Sequence, residues 1–165
     1  MNIFVSDLDP VIAAQNLPDI LNSKMIVELC QLLSTAHVEL DGQQVAYKAT
    51  HKNHPCAIFV RKEASNYQWV YEHYKALCAE FEHRKGKTHK SSEHLDTLAN
   101  PPKNIPHKFG KRTFFPKCMP DEFKQKDVCE SYKNYLNAKY REWLQREKPL
   151  KVEWTNRDKP DWIDL

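Results

Sequence analysis

The sequence predicts a mainly helical protein, one compact domain over residues 1–165 with three principal helices, short accessory helices and long ordered loops. Three observations carry that reading. Apolar residues recur at three- and four-residue steps over long windows, the spacing of a buried helical stripe. Five prolines (Pro101, Pro102, Pro106, Pro116, Pro120) crowd one stretch and forbid long helices there. With 41% hydrophobic and 28% charged residues the chain can bury a core, which excludes a disordered linker. No internal repeat is visible.

The start, Asn2-Ile3-Phe4-Val5, reads as a small strand or an extended arm packed on the body. Asp9 then caps a short helix from Pro10 to about Asn16, with proline at the first helical position. After Pro18, the residues Leu21, Met25, Leu29, Leu32 and Ala36 line one face of a helix over Ile20 to His37, which Asp41-Gly42 terminates as a turn. Asn53 or His54 caps a helix through Ala57 to Arg61, for which a strand is the alternative because of its β-branched run. From Ser65 the positions Tyr67, Val70, Tyr71, Tyr74, Leu77, Cys78 and Phe81 form the clearest stripe, stopped by Gly86, with Glu72, Lys75, Glu80 and Arg84 on the solvent side. A last helix over about Lys126 to Arg146 lines Val128, Tyr132, Tyr135, Lys139 and Trp143 along one side, and its N-terminal negative charge comes from Asp121-Glu122 or Asp127. The tail 149–165, holding Trp154 and Trp162, reads as a segment that wraps the body.

Composition narrows the function. The three glycines, Gly42, Gly86 and Gly110, lie too far apart to build a dinucleotide fingerprint or a P-loop. No apolar run spans a bilayer and the amino end lacks a signal-peptide pattern, so the expectation is a soluble cytoplasmic protein, in the host cytoplasm if phage-encoded, and a monomer. Five widely spaced cysteines read as reduced thiols, with Cys30 and Cys78 on apolar helix faces. The net +3 conceals an asymmetry: residues 84–117 carry nine positive charges (Arg84, Lys85, Lys87, Lys90, Lys103, Lys108, Lys111, Arg112, Lys117) against Glu93 and Asp96. Such a loop-rich basic segment is the footprint of a phosphate-backbone contact, or else a solvated surface. Phe109, Phe114 and Phe115 interleave with its charges, either to stack on bases or to anchor the loop.

The densest polar cluster, Tyr47 to Cys56, sets His51, Lys52, Asn53 and His54 ahead of a helix N-terminus, where a phosphate would be welcome. His51, His54 and Cys56 are also nominal zinc ligands, but their spacing matches no common structural site and no fourth donor is evident, so no metal or other cofactor is assigned. Lys24 and Glu28 stand four apart on one helix, as a surface ion pair or as part of a cleft.

These residues carry a resemblance. The opening Asn2 to Pro10, the block Tyr47-Lys48 to Asn53-His54-Pro55, and the helix ending Glu80-Phe81-Glu82-His83-Arg84-Lys85-Gly86 resemble the pyrimidine-dimer DNA glycosylase family of phages and bacteria, over roughly residues 1 to 90. The run Thr50 to Pro55 is similar to one shared by a group of phage proteins. The resemblance implies a helical domain that acts on double-stranded DNA, attacks the sugar C1′ with an N-terminal α-amine, and breaks the strand by β-elimination through a Schiff base. An α-amine suits that step because its pKa of about 7.7 to 8.0 leaves a neutral fraction at pH 7. On this reading Met1 is the nucleophile, since Asn2 disfavours its removal, and Glu28 stabilises positive charge on the sugar. Lys24, His51, Lys52, Asn53, His54 and Arg61 position substrate, and Lys85, Lys87, Lys90, Lys108, Lys111 and Arg112 hold DNA. The sequence lacks the family's Arg-Glu pair, reading Asn22 to Glu28 instead, and has Ile20-Leu21 where the similar phage proteins tend to have Lys-His. Two rivals stand beside this expectation: a non-catalytic nucleic-acid-binding or host-interaction protein of the same fold, and an enzyme acting on another modified base.

Overall fold

Three of the helices begin where a side chain caps otherwise unpaired backbone N–H groups. The computed structural model describes all of residues 1–165 and contains six α-helices and no strand: α1 (Pro10–Gln15), α2 (Asp19–Asp41), α3 (Pro55–Lys62), α4 (Ala64–Lys85), α5 (Leu95–Leu98) and α6 (Val128–Leu144). Asp9 accepts from the Val11 and Ile12 amides to cap α1, His54 Nδ1 accepts from the Cys56 amide to cap α3, and Asp127 accepts from the Glu130 amide to cap α6. Gly42 (φ 68°) and Gly86 (φ 64°) end α2 and α4 in the left-handed conformation that glycine adopts without a Cβ clash. The 55–62 segment is therefore a helix, which its proline and histidine cap favour over the strand alternative. No helix is long and apolar enough to cross a membrane.

Helices α1 to α4 pack on one another around a single apolar cluster. The five α2 stripe residues and all seven α4 stripe residues are buried, and each fully buried leucine contributes about 1.5–3 kcal/mol. Polar groups between the helices are matched: Asn22 Nδ2 donates to the Leu77 carbonyl at 3.1 Å, and the Tyr67 hydroxyl donates to the Leu98 carbonyl at 2.8 Å while His37 Nε2 meets it at 3.0 Å. Burial pushes the Cys30 thiol up to about 12 and the Cys78 thiol to about 11, so both are inert.

The amino-terminal segment is a buried extended arm, not a strand. Ile3, Phe4 and Val5 lie in the core, and Phe4 meets Tyr132 edge-on at 6.2 Å and stacks near Tyr135 at 6.4 Å, so the arm joins α6 to the rest of the molecule. Without a neighbouring strand its amides turn to Asn2, whose Oδ1 accepts from Ile3 N at 2.8 Å and Phe4 N at 3.2 Å. Phe4 sits at φ 47°, a conformation uncommon for an aromatic residue. The buried face of α6 is Tyr132, Leu136, Tyr140 and Trp143; Val128, Tyr135 and Lys139, assigned to the same stripe from the sequence, lie half-buried at its margin. The tail crosses back over the helices, Trp154 Nε1 donating to the Asn16 carbonyl at 3.0 Å and Asn137 Nδ2 to the Trp162 carbonyl at 3.0 Å.

One feature reverses a sequence expectation. Glu80 and Arg84, placed on the solvent face of α4, are buried at 4% and 3% exposure. Arg84 donates to Glu80 Oε1 (2.8 Å), Asp19 Oδ1 (3.1 Å) and the carbonyls of Leu17 (2.8 Å) and Gln15 (3.1 Å). Lys85 reaches Asp19 Oδ2 at 3.0 Å, Thr155 bonds the same carboxylate, and Arg157 forks onto Glu80, with Nη2 to Oε2 at 2.8 Å. The periodicity of a lone helix could not reveal this, because the tail and the α1–α2 corner that cover Glu80 and Arg84 are distant in sequence.

Two predictions follow from these buried groups. Arg84→Met leaves two carboxylates short of their partner and should cost about 3–5 kcal/mol by urea unfolding, and Arg84→Lys should rescue little because a lysine lacks the guanidinium fork. His73 is fully buried, with Nδ1–H donating to the Pro10 carbonyl at 2.9 Å and Nε2 without a partner; burial lowers its pKa to about 4. A lowered histidine makes the unfolded chain the better proton binder, so stability should fall as pH drops from about 6.5 to 4, by up to about 3 kcal/mol. The Asp19 carboxyl, held at about 2 by its hydrogen bonds despite burial, keeps its stabilisation until lower pH still. His73→Asn retains a donor for Pro10 and should flatten the upper limb; an unchanged pH profile would move the effect elsewhere.

Candidate functional site

Because the arm is buried up to Asn2, the position of Met1 is determined by what Asn2 and Ile3 touch. Asn2 Nδ2 donates to the Cys118 carbonyl at 2.8 Å, which sets the half-exposed Met1 beside the loop that precedes α3 and the segment around Cys118. The positive charge of the α-amine is felt at His54, Cys56 and Cys118 alike. His54 lies below its ordinary value chiefly through burial, then through repulsion from the amine and from His51, while the Glu28 carboxylate pulls the other way. Cys56 and Cys118 stand 3.5 Å apart, sulfur to sulfur. Their hydrogen bond favours the thiolate on Cys118 and, with burial, keeps Cys56 a thiol.

Glu28 projects from α2 toward the same place. Its side chain is 18% exposed and pairs with Lys24, 65% exposed, at 3.6 Å. Lys139 of α6 completes the face: burial lowers its pKa most, then Lys24, and it lies over the Tyr135 and Trp143 rings at 5.5 and 5.2 Å. Sequence reasoning placed Lys139 in an apolar stripe; a lysine among aromatic positions was the available signal. His54 thus lies within electrostatic reach of both the Met1 amine and Glu28, and Lys139 within reach of Lys24 and Glu28.

The other residues singled out from the sequence divide by what they touch. His51 sits at φ 49° with Nδ1 2.7 Å from Thr50 Oγ1, and its carbonyl accepts from the His54 amide at 2.8 Å, so it forms the turn and stays outside the His54–Cys56–Cys118 cluster. Arg61 donates to the Lys52 carbonyl at 2.6 Å and clamps that turn onto α3; Lys52, 4.0 Å from Glu39, and Asn53 are exposed.

In the basic segment, Arg84 and Lys85 are engaged with Asp19, and Lys117 donates to the Lys126 carbonyl at 3.0 Å, so the surface is less positive than the sequence count. Lys87, Lys90, Lys108 and Lys111 are exposed, and the Arg112 guanidinium lies 3.9 Å above the Phe115 ring. The three rings divide. Phe115 is buried against Phe59 and Trp69, anchoring the loop, whereas Phe109 and Phe114 are 100% and 99% exposed. Phe114, Arg112, Pro55, Ile58 and Lys62 border an open cleft of about 640 Å³ next to His54.

The family model described as pyrimidine dimer DNA glycosylase matches residues 1–94. The chain belongs to that family. The match covers the arm, α1 to α4 and the turn that follows, and so includes Met1, Lys24, Glu28 and the 51–56 block; Cys118, the exposed phenylalanines and α6 lie beyond it. Comparison with curated proteins and with solved structures gives no match. Membership brings a DNA-glycosylase type of function and DNA as substrate at the level of the family.

The hold on the arm is testable. Asn2→Ala removes one donor and one shared acceptor from a buried position and should cost about 1–3 kcal/mol by urea unfolding. An unchanged midpoint would assign the arm's stability to Ile3, Phe4 and Val5 alone.

Proposed function

We propose that the protein is a DNA glycosylase with abasic-site lyase activity on damaged or modified pyrimidines in double-stranded DNA, with the Met1 α-amine as nucleophile. The observation that supports this most is that His54 feels both the terminal amine, held by a buried arm, and a half-buried carboxylate from α2. In the proposed reaction the neutral amine attacks C1′ as the glycosidic bond breaks and the base departs with the bonding pair, taking up a proton. Ring opening gives an imine and a free O4′ hydroxyl. Loss of a C2′ proton then expels the 3′ phosphate, and water releases the amine.

Glu28 stabilises the positive charge that grows at C1′ on the way to the transition state, where a placed charge counts most. Lys24 and Lys139 flank it and attract phosphate. His54 and the Arg61-braced turn position the nucleotide, and Lys87, Lys90, Lys108, Lys111 and Arg112 hold the duplex, with the bare rings of Phe109 and Phe114 available for stacking on bases.

Borohydride reduction during turnover of abasic or dimer-containing duplex should yield a covalent protein–DNA band whose linked peptide begins at Met1. One added N-terminal residue displaces the amine by up to about 3.5 Å and should abolish the band. Binding without any band would leave a non-catalytic binder. Glu28→Gln should slow single-turnover cleavage by about 10²-fold or more with little change in binding; a mere surface partner of Lys24 would cost a few tenths of a kcal/mol in stability and nothing in rate. Replacing Lys108 and Lys111 by Ala should flatten the salt dependence of binding by about 0.9 per lost phosphate contact, and an unchanged slope removes the loop from the interface.

A further inference from the structure

Cys56 and Cys118 have no part in the amine chemistry above, and beside them stands His54, which serves that chemistry only by positioning the nucleotide. A ring nitrogen of His54 and the two Sγ atoms all lie within 4.8 Å of one another. The sulfur–sulfur separation is 3.5 Å. A tetrahedral zinc ion, with Zn–S near 2.3 Å and Zn–N near 2.0–2.1 Å, holds two thiolates about 3.8 Å apart and a sulfur and a nitrogen about 3.5 Å apart. The sulfurs stand within about 0.3 Å of that spacing, and the imidazole closes the set by moving up to about 1.3 Å. Its Nδ1, which accepts the Cys56 amide at 3.1 Å, lies on the Cys56 side, and its one in-plane lone pair reaches a metal by giving up that hydrogen bond.

The donors are held from behind. Cys56 lies in the first turn of α3 with 0% exposure. The Cys118 amide donates to the Tyr132 hydroxyl at 3.2 Å, and the Cys118 carbonyl accepts from Asn2. His54 and Cys118 are half-buried, so one side of the cluster remains open. From the sequence only His54 and Cys56 were in view; Cys118, 62 positions away, is supplied by the fold.

We propose that His54, Cys56 and Cys118 bind one thiophilic divalent cation, zinc by the character of the donors, with solvent in the fourth position. Two thiolates and an imidazole favour zinc over hard cations, which take oxygen ligands. Binding releases to solvent the Cys56 thiol proton and whatever proton Cys118 still carries, and exchanges the His54 cap bond for a metal bond. The ion would fasten the start of α3 to the 118 segment, and through the Asn2 bond to the arm. The inference does not depend on the lyase reading, since the metal is detected without DNA.

The full-length protein, stripped by chelator under reductant, is titrated with cobalt(II) alone and then zinc. One equivalent of cobalt should produce thiolate-to-cobalt charge-transfer absorption and the intense visible bands of a tetrahedral site, and zinc should bleach them because it binds the same ligands more tightly. Cys118→Ser and Cys56→Ser should lose the bands, while Cys129→Ser keeps them. Should a serine variant fail to fold, alkylation of the wild-type protein decides: zinc at about 100 times its dissociation constant should slow modification of Cys118 about 100-fold and leave Cys129 unaffected. Absent cobalt bands with no protection of Cys118, bands that persist in Cys118→Ser, or thiols that yield only a Cys56–Cys118 disulfide with peroxide and take up no metal would each overturn the proposal.

Discussion

The buried guanidinium of Arg84 is the constraint around which the remaining elements are arranged. It is enclosed at 3% exposure, and such a charge is tolerable only when acceptors surround it. The acceptors come from three places: the carbonyls that close α1, the carboxylate that opens α2, and Glu80 one turn earlier on α4. Asp19 and Glu80 are in turn completed by Lys85, Thr155 and Arg157, so the tail is recruited by the same need. The angle between α2 and α4 is thereby set at the end of the pair opposite Tyr67 and His37. That angle in turn carries Glu28 on α2.

Most of the helical framework was legible because periodicity and capping are local. Leu21 to Ala36 and Tyr67 to Phe81 announce their buried faces by spacing, and Asp9, His54, Gly42 and Gly86 mark ends through backbone geometry that a short window contains. Errors arose where burial is decided by something far away. Glu80 and Arg84 look like solvent residues until residues 15–19 and 155–157 are laid over them. On α6, contacts from the arm and the tail turn the buried face toward Leu136 and Tyr140 and leave Tyr135 and Lys139 at its edge.

The candidate site was legible in its parts and not in its assembly. Met1, Glu28, Lys24 and His54 could be named as chemically apt, yet nothing in their spacing says that His54 lies within reach of both the amine and Glu28. Lys139 and Cys118 escaped because each is unremarkable among its neighbours in sequence and informative only beside residues over a hundred or some sixty positions away. The basic segment shows the opposite difficulty. A count of charges treats Arg84, Lys85 and Lys117 as free surface charge, whereas the fold engages each in bonds of its own, and of the phenylalanines Phe115 packs into the core while Phe109 and Phe114 stay exposed.

The tail's grip on Asp19 and Glu80 bears on the order in which the molecule is completed. During synthesis α2 and α4 emerge well before Thr155 and Arg157, so a nascent chain that has already paired its long helices still lacks two of the donors its buried carboxylates require. The helices can collapse early, but the corner where α1, α2 and α4 meet stays open to water until the last segment arrives. Vectorial folding of this chain is therefore closed by a late latch, and the structure matures from its carboxyl-terminal side even though its proposed chemistry resides at the other terminus.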